Sequence, residues 1–461
     1  MSASTFVQQK TQDGETAPEG ILKWQNVLFA LAALVLFGVG IWMRMHKLGL
    51  PFDRDSYDEG VYWQSLRAMS GGQTLYQQVF YSQPPFFLLS IFPLFLLFGK
   101  TLFAARLGIA LISLMGLIGA LLLGKALSGR VGAIAALLLI VMNPLYLRES
   151  QTIQAEAPSA ALSLLAVGLV YLWWERPDGV IGLCLSVLCA IALAFSILSK
   201  LLALSALVPV VLFMLVRCWQ ILQQAPETRL RSARSLIAGS VAFIIAFAIL
   251  ILPFAGSFQQ FWHSVVTFHT AGGTAFAYTQ SGNLTLIADM LLSLTSLAAF
   301  YGTVTALLRR DWRVLPLLAW FLVTAFLLWR WTPLFTHHLV ALVPPLVGLA
   351  TIGIGPVPDM SLAKRNVLSS STIFPALGLI LILLASTPGT YDILQYYHTQ
   401  QQLSDSVNRQ QNRVIKDLQA ATQPNQLVVT DAQFIAALAG RSTPPALVDT
   451  SSVRIVTGYV T

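Results

Sequence analysis

The sequence predicts an all-α polytopic membrane protein of about 11 transmembrane helices, with a long first outer loop carrying interfacial helices and a small extracytoplasmic α/β appendage at its C-terminus. Three observations predict it. Of 461 residues, 56% are hydrophobic and only 10% are charged, and the mean hydropathy is +0.70, a balance that a water-soluble globule with its charged surface does not reach. The apolar residues gather into runs near the roughly 20 residues that cross about 30 Å of hydrocarbon. The basic residues behind the net charge of +8 sit in short clusters between those runs, the pattern of cytoplasmic loops and not of a nucleic-acid surface.

Taken in order, the spans start near residues 26, 103, 131, 157, 180, 201, 236, 284, 314, 338 and 367. Residues 1–25 are a polar cytoplasmic tail, and the run after Trp24 reaches Arg44 without a small-residue cleavage site, so it reads as an uncleaved anchor. Clusters at Lys125/Arg130, Arg217 to Arg234, Arg309/Arg310/Arg313 and Lys364/Arg365 place alternate loops in the cytoplasm by the positive-inside rule. An odd number of spans then leaves the C-terminal tail, 388–461, outside. The first outer loop, 44–102, holds an apolar stretch Pro85 to Gly99 too short to cross, which reads as an interfacial or re-entrant helix. That choice puts Asp58 and Glu156 on one membrane face; a true span there separates them. In the tail, a polar helical stretch from 401 to 422 precedes Leu427 to Thr430, Ala432 to Ala439 and Ala446 to Asp449, the alternation of a small α/β unit that leans on the membrane domain 26–387. Cys184, Cys189 and Cys218 all lie in apolar runs and give neither a disulfide framework nor a metal motif.

The chemistry sits at the outer face. Asp58 and Glu59 open an amphipathic helix just past the first span. Ser56 with Glu59 forms a capping box, and acids in a first turn suit the helix dipole. Asp58 takes no part in the cap, and its neighbour points about 100° away around the helix, so one carboxylate faces a cleft while the other caps. Glu149 stands beside Arg148, and Glu156 precedes Ala157-Pro158 at the mouth of the fourth span, where a helix N-terminus is an equal explanation. Arg106 at the start of the second span and Lys200 inside an apolar stretch each carry a charge that the membrane penalises unless it is compensated; phosphate binding and snorkelling both account for them. His337 and His338 join the ninth and tenth spans, but adjacent residues do not share a helix face, which argues against a two-histidine metal site there. His263 and His269 lie among aromatics that serve equally as a sugar platform or an interfacial belt.

In this order the features resemble the glycosyltransferase C superfamily, specifically the protein O-mannosyltransferases and the lipid A aminoarabinose transferases (glycosyltransferase family 39 type). The segments that carry the resemblance are Tyr57-Asp-Glu-Gly-Val-Tyr62, Gln83-Pro-Pro85, Phe98 to Arg106, Glu156, Leu198-Ser-Lys200, Pro333 to His338, and Val428 to Asp431 with Ala439-Gly-Arg441 in the tail. The resemblance implies Asp58 as the catalytic acidic residue, with Glu59 beside it shaping the acceptor or metal environment, Glu156 as the second acid, and Arg106 and Lys200 holding a carrier phosphate; His337 and His338 are expected to join them in binding the donor phosphate. Tyr57, Tyr62 and Gln83 fall at substrate contacts. Such families often carry His or Lys before this proline, whereas Gln83 offers a hydrogen bond and no charge. The implied activity is a hexosyl or pentosyl transfer from a polyprenyl-phosphate sugar donor to an acceptor hydroxyl on a lipid, glycan or protein, at the outer face of the cytoplasmic membrane, with inversion. No cofactor is required; Asp58 and Glu156 offer oxygen ligands that suit Mg²⁺ or Mn²⁺, but two carboxylates are too few to demand one. A transporter or flippase is the competing class, and it expects ionisable residues near the bilayer midplane and repeated halves. Here those residues gather at one face and no repeat is visible.

Overall fold

The computed structural model describes residues 19–51, 57–355 and 370–460. Ser56, the tail before residue 19 and the Lys364/Arg365 cluster lie outside the described residues. The chain is helical almost throughout. Helices α1 (Glu19–Met45), α2 (Tyr57–Ser70), α3 (Phe86–Leu97), α4 (Leu102–Val141), α5 (Pro144–Glu149) and α6 (Glu156–Glu175) are followed by α7 (Gly179–Ile197), α8 (Leu207–Leu222) and α9 (Pro226–Ile251). After two short helices, α10 (Phe258–Trp262) and α11 (Phe268–Ala275), come α12 (Gln280–Leu291), α13 (Leu294–Leu308), α14 (Val314–Arg330), α15 (Val343–Ile352), the long α16 (Ser370–Ala421), α17 (Gln433–Leu438) and α18 (Ser452–Val456).

Among the described residues, seven helices are long and apolar enough to cross a membrane, or eight if the pair α12 and α13, bent by 80°, counts as one span. This is a multi-pass membrane protein. Three further expected spans fall on α14, on the shorter apolar helix Thr336–Ile352, and on the second half of α4. A straight 40-residue helix would be about 60 Å long, twice the hydrocarbon thickness. Instead α4 doubles back at Ser128 and Gly129, where Gly129 adopts φ +64. A side chain at Gly124 would lie 2.2 Å from the Gly132 carbonyl, so the two halves pack back to back. Large apolar side chains along α1, such as Leu28, Leu34 and Trp42, stay exposed, as they must where lipid is the solvent.

Helix α3 has only 12 residues, too few to cross, and Phe87, Leu88, Ile91 and Phe95 are buried. The tail departs from expectation. The polar stretch 401–422 is not a separate helix but the continuation of the last span within the 52-residue α16. Where an α/β unit was expected, the tail forms no strand among the described residues; Leu427 to Ser442 is a single parallel bridge, since one short extended run has no second strand to pair with. The tail then docks on α2. Gly60 makes the approach feasible, because a Cβ there would lie 2.4 Å from the Phe434 backbone nitrogen. Gln64 donates to the carbonyls of Gln433 at 3.2 Å and Arg441 at 3.1 Å, and Trp63 packs edge-on against Phe434.

Candidate active site

Helix α2 starts at Tyr57, so Asp58 and Glu59 occupy its first turn and diverge as helical neighbours do. Glu59 turns inward. It is fully buried and receives two hydrogen bonds of 2.6 Å from the Arg106 Nε and Nη2, and a third of 2.9 Å from the Ile153 backbone N–H. The remaining Arg106 nitrogen donates to the carbonyls of Leu48 and Leu50. The expected phosphate role of Arg106, and any direct chemistry for Glu59, therefore find no support in the arrangement: the fork is closed on a carboxylate, away from the cavity described next.

Asp58 turns the other way, into a cavity of about 770 Å³ that also takes in Tyr57, Tyr62, Gln83, Lys200, His269, His337 and His338. Its side chain is 42% exposed there. Glu156, at the first residue of α6, lies behind the cavity wall, 4% exposed, with the Lys200 ammonium hydrogen-bonded to its Oε1. Lys200 reaches it because its own backbone is extended between α7 and the short helix Leu201–Ala206. The His337 Nε2 links the two acids, 3.7 Å from the Asp58 Oδ2 and 3.6 Å from the Glu156 Oε1. The His338 Nε2 is 3.7 Å from the same Glu156 oxygen. Asp58, Glu156 and Lys200, far apart in sequence, are thus brought together at one wall of the cavity, linked through His337. Enclosure in that hollow, with the Glu156 carboxylate adding to it and Lys200 opposing, pushes the Asp58 carboxyl up to about 6.

The two adjacent histidines converge on one acid because they lie in the first turn of a short 3₁₀ helix, Thr336–Leu342, with ring centroids 4.4 Å apart. Glu156, His337 and His338 present ligand atoms all within 4.8 Å of one another. The expected metal pair was Asp58 and Glu156; the cluster found is one carboxylate and two imidazoles, a set that suits Zn²⁺ better than Mg²⁺ or Mn²⁺. Its fit is poor in one respect. The Phe335 N–H donates to the His338 Nδ1 at 3.2 Å, which leaves the proton of the neutral ring on Nε2, the atom facing Glu156. Lys200 already brings positive charge to that carboxylate.

Other predicted residues line the walls. Tyr62 is buried edge-on to Phe87, and the Gln83 carbonyl accepts from the Tyr76 hydroxyl at 2.8 Å. His269 resolves as a cavity residue, holding the Ser82 carbonyl at 2.8 Å and lying 5.2 Å from the Trp331 ring, whereas His263 bonds the Tyr459 hydroxyl outside it. Glu149 is buried behind the site, 4.0 Å from the Arg148 Nε; burial first, and Glu156 second, push its carboxyl up to about 8. Sequence reasoning passed over Arg148 as a site residue and missed Arg330, Asp431 and Asp449, all of which line the cavity. Arg330 carried a legible signal, a cation ending an apolar run like Lys200, and Asp431 stood in a segment that carries the family resemblance, but Asp449 carried none.

Residues 82–240 match the family described as dolichyl-phosphate-mannose-protein mannosyltransferase. No curated protein matches by sequence. Among solved structures, ArnT from Cupriavidus metallidurans in its apo state superposes with a TM-score of 0.59 at 17% identity, over 92% of this chain and 86% of that one. The same protein bound to undecaprenyl phosphate gives 0.57 at 17% identity, over 93% and 90%. The Archaeoglobus fulgidus oligosaccharyltransferase gives 0.54 at 14% identity, over 90% of this chain and 64% of that longer one. The chain thus has the helical fold of these structures, that of the glycosyltransferase C type, and its residues 82–240 are similar to the mannosyltransferase family.

Proposed function

We propose that the protein is a membrane glycosyltransferase that moves a sugar from a polyprenyl-phosphate donor to an acceptor hydroxyl at the outer face of the cytoplasmic membrane, with the N-terminus inside and the C-terminus outside. The observation that carries the reading is that Asp58, His337 and Lys200 line one cavity of about 770 Å³, with Glu156 directly behind them, hydrogen-bonded by Lys200 and 3.6 Å from the His337 Nε2. Acids and cations held side by side at a cavity wall suit a reaction that both removes a proton and expels an anion. Undecaprenyl phosphate is bound by the ArnT structure similar to this chain, and that carrier class is what the cavity is read to take.

In this mechanism the Asp58 carboxylate accepts the proton of the acceptor hydroxyl as its oxygen attacks the anomeric carbon. The bond from that carbon to the phosphate oxygen breaks on the opposite side, its electron pair leaves with the phosphate, and the configuration inverts through an oxocarbenium-like state. Lys200, Arg148 and Arg330, the Lys and Arg side chains that line the cavity among the described residues, stabilise the departing phosphate by charge-assisted hydrogen bonds. Glu156 fixes Lys200, and His337 spaces Asp58 from Glu156. The test is turnover of a panel of polyprenyl-phosphate hexoses and pentoses by the purified protein. Release of free carrier phosphate from at least one donor is expected, and release from none refutes the proposal.

A further inference from the structure

The cavity has a second wall that the donor chemistry does not use. Residues 449–453 of the tail, with Asp431, close it from the outside. This segment is pinned at both ends. The Tyr57 hydroxyl donates to the Asp449 Oδ1 at 3.1 Å and accepts the Thr450 N–H, fixing the tail to the residue before Asp58. On the far side Val453 rests against Gly272, where a Cβ would lie 2.9 Å away, and the Tyr459 hydroxyl meets the His263 Nδ1 at 2.7 Å. The cation that follows the segment, Arg454, is folded back: its guanidinium stacks 3.9 Å over Phe80 and donates to the Ala446 and Asp449 carbonyls.

The wall is consequently acidic and hydroxylic, while the cations lining the cavity come from the membrane domain. Asp449 is only 7% exposed. Its Oδ1 is taken by Tyr57 and by the Ser451 N–H at 2.9 Å, and its Oδ2 has no hydrogen-bond partner among the described residues. Asp449 lines the cavity, and a carboxylate oxygen there without a protein partner is an acceptor open to a donor. The volume, toward the upper part of the roughly 300–1,000 Å³ typical of ligand sites, leaves room for a second group beside a sugar phosphate.

We infer that this tail wall is the acceptor subsite, with the Asp449 Oδ2 as its hydrogen-bonding centre, and that it takes a hydroxyl-bearing group without anionic charge. The inference rests on the glycosyltransferase reading above and names the substrate class for its second half. Asp449 then grips one hydroxyl of the acceptor while, through Tyr57, it holds the start of the helix that presents Asp58 to another.

The experiment measures transfer by the full-length protein from whichever donor of the panel it consumes to two acceptor probes, octyl mannoside and octyl mannoside 6-phosphate. The neutral probe is expected to be preferred. Asp449→Asn keeps an oxygen for Tyr57 and Ser451 but replaces the free oxygen by an amide N–H₂; it is expected to raise the KM for the neutral probe about tenfold, as for loss of a hydrogen bond to a charged group, while the donor KM stays in place. Ser452→Lys, at an exposed position of the wall, is expected to improve use of the phosphorylated probe; it decides the matter if the Asp449 variant does not fold. Wild-type preference for the phosphorylated probe, use of neither probe, or unchanged acceptor KM values in both variants would overturn the inference. Failure of the wild type to consume any donor strikes instead at the glycosyltransferase reading.

Discussion

Arg106 and Glu59 form a two-pronged ion pair, both contacts 2.6 Å, with neither side chain exposed. It ties the second span to the helix that presents Asp58. Breaking a buried pair leaves an uncompensated charge at about 3–5 kcal/mol. Arg106→Ala is therefore expected to lower the thermal midpoint of the purified protein by many degrees, and Arg106→Lys, which keeps charge but loses the fork, by less. Equal carrier release per folded molecule in Arg106→Lys and wild type is the expected companion result; a selective rise in donor KM with unchanged stability would return Arg106 to the phosphate.

Asp58→Asn removes the proposed base from a side chain that is 42% exposed to the cavity, so the fold is expected to survive. Loss of a general base costs roughly 10²–10⁴-fold in rate. Carrier-phosphate release assayed against wild type measures it, and undiminished turnover removes Asp58 from the mechanism.

The pH dependence follows from the same group. A base must be ionised, and Asp58 is held up to about 6. The wild-type kcat/KM is expected to fall about tenfold per pH unit below that value and to level off above it. A profile flat between pH 5 and 7 contradicts the assignment.

Arg330 ends α14 at the cavity. If it supports the leaving phosphate, Arg330→Gln is expected to raise the donor KM about 10- to 100-fold, as for a lost charge-assisted hydrogen bond, with the acceptor KM little changed. Steady-state kinetics with donor and acceptor varied separately distinguishes this from a general loss of fold.

Glu149 tests the electrostatics behind the site. Its carboxyl is raised to about 8 by burial and by Glu156. A raised acid binds more protons folded than unfolded, so its contribution is intact below the unfolded value near 4.5 and is lost as pH rises through about 8. Wild type is expected to lose on the order of 3 kcal/mol between pH 5 and 8.5 from this group, and Glu149→Gln to lose less. Thermal midpoints of both proteins at the two pH values measure the difference.

Much of this molecule was legible in its sequence, for a physical reason. Lipid tolerates charge so poorly that Lys200 inside an apolar stretch and Glu156 at the mouth of a span had to be compensated, and they compensate each other. A 12-residue apolar helix cannot cross, which kept Asp58 and Glu156 on one side. Tertiary structure alone decided the rest. A buried guanidinium serves a phosphate or a carboxylate equally well, and only the fold brings Glu59 to Arg106. Likewise, two adjacent histidines share a target only because a short tight turn presents them to Glu156. Asp449 reaches Tyr57 from 392 residues away, through a docking that depends on Gly60 having no side chain where α17 meets α2.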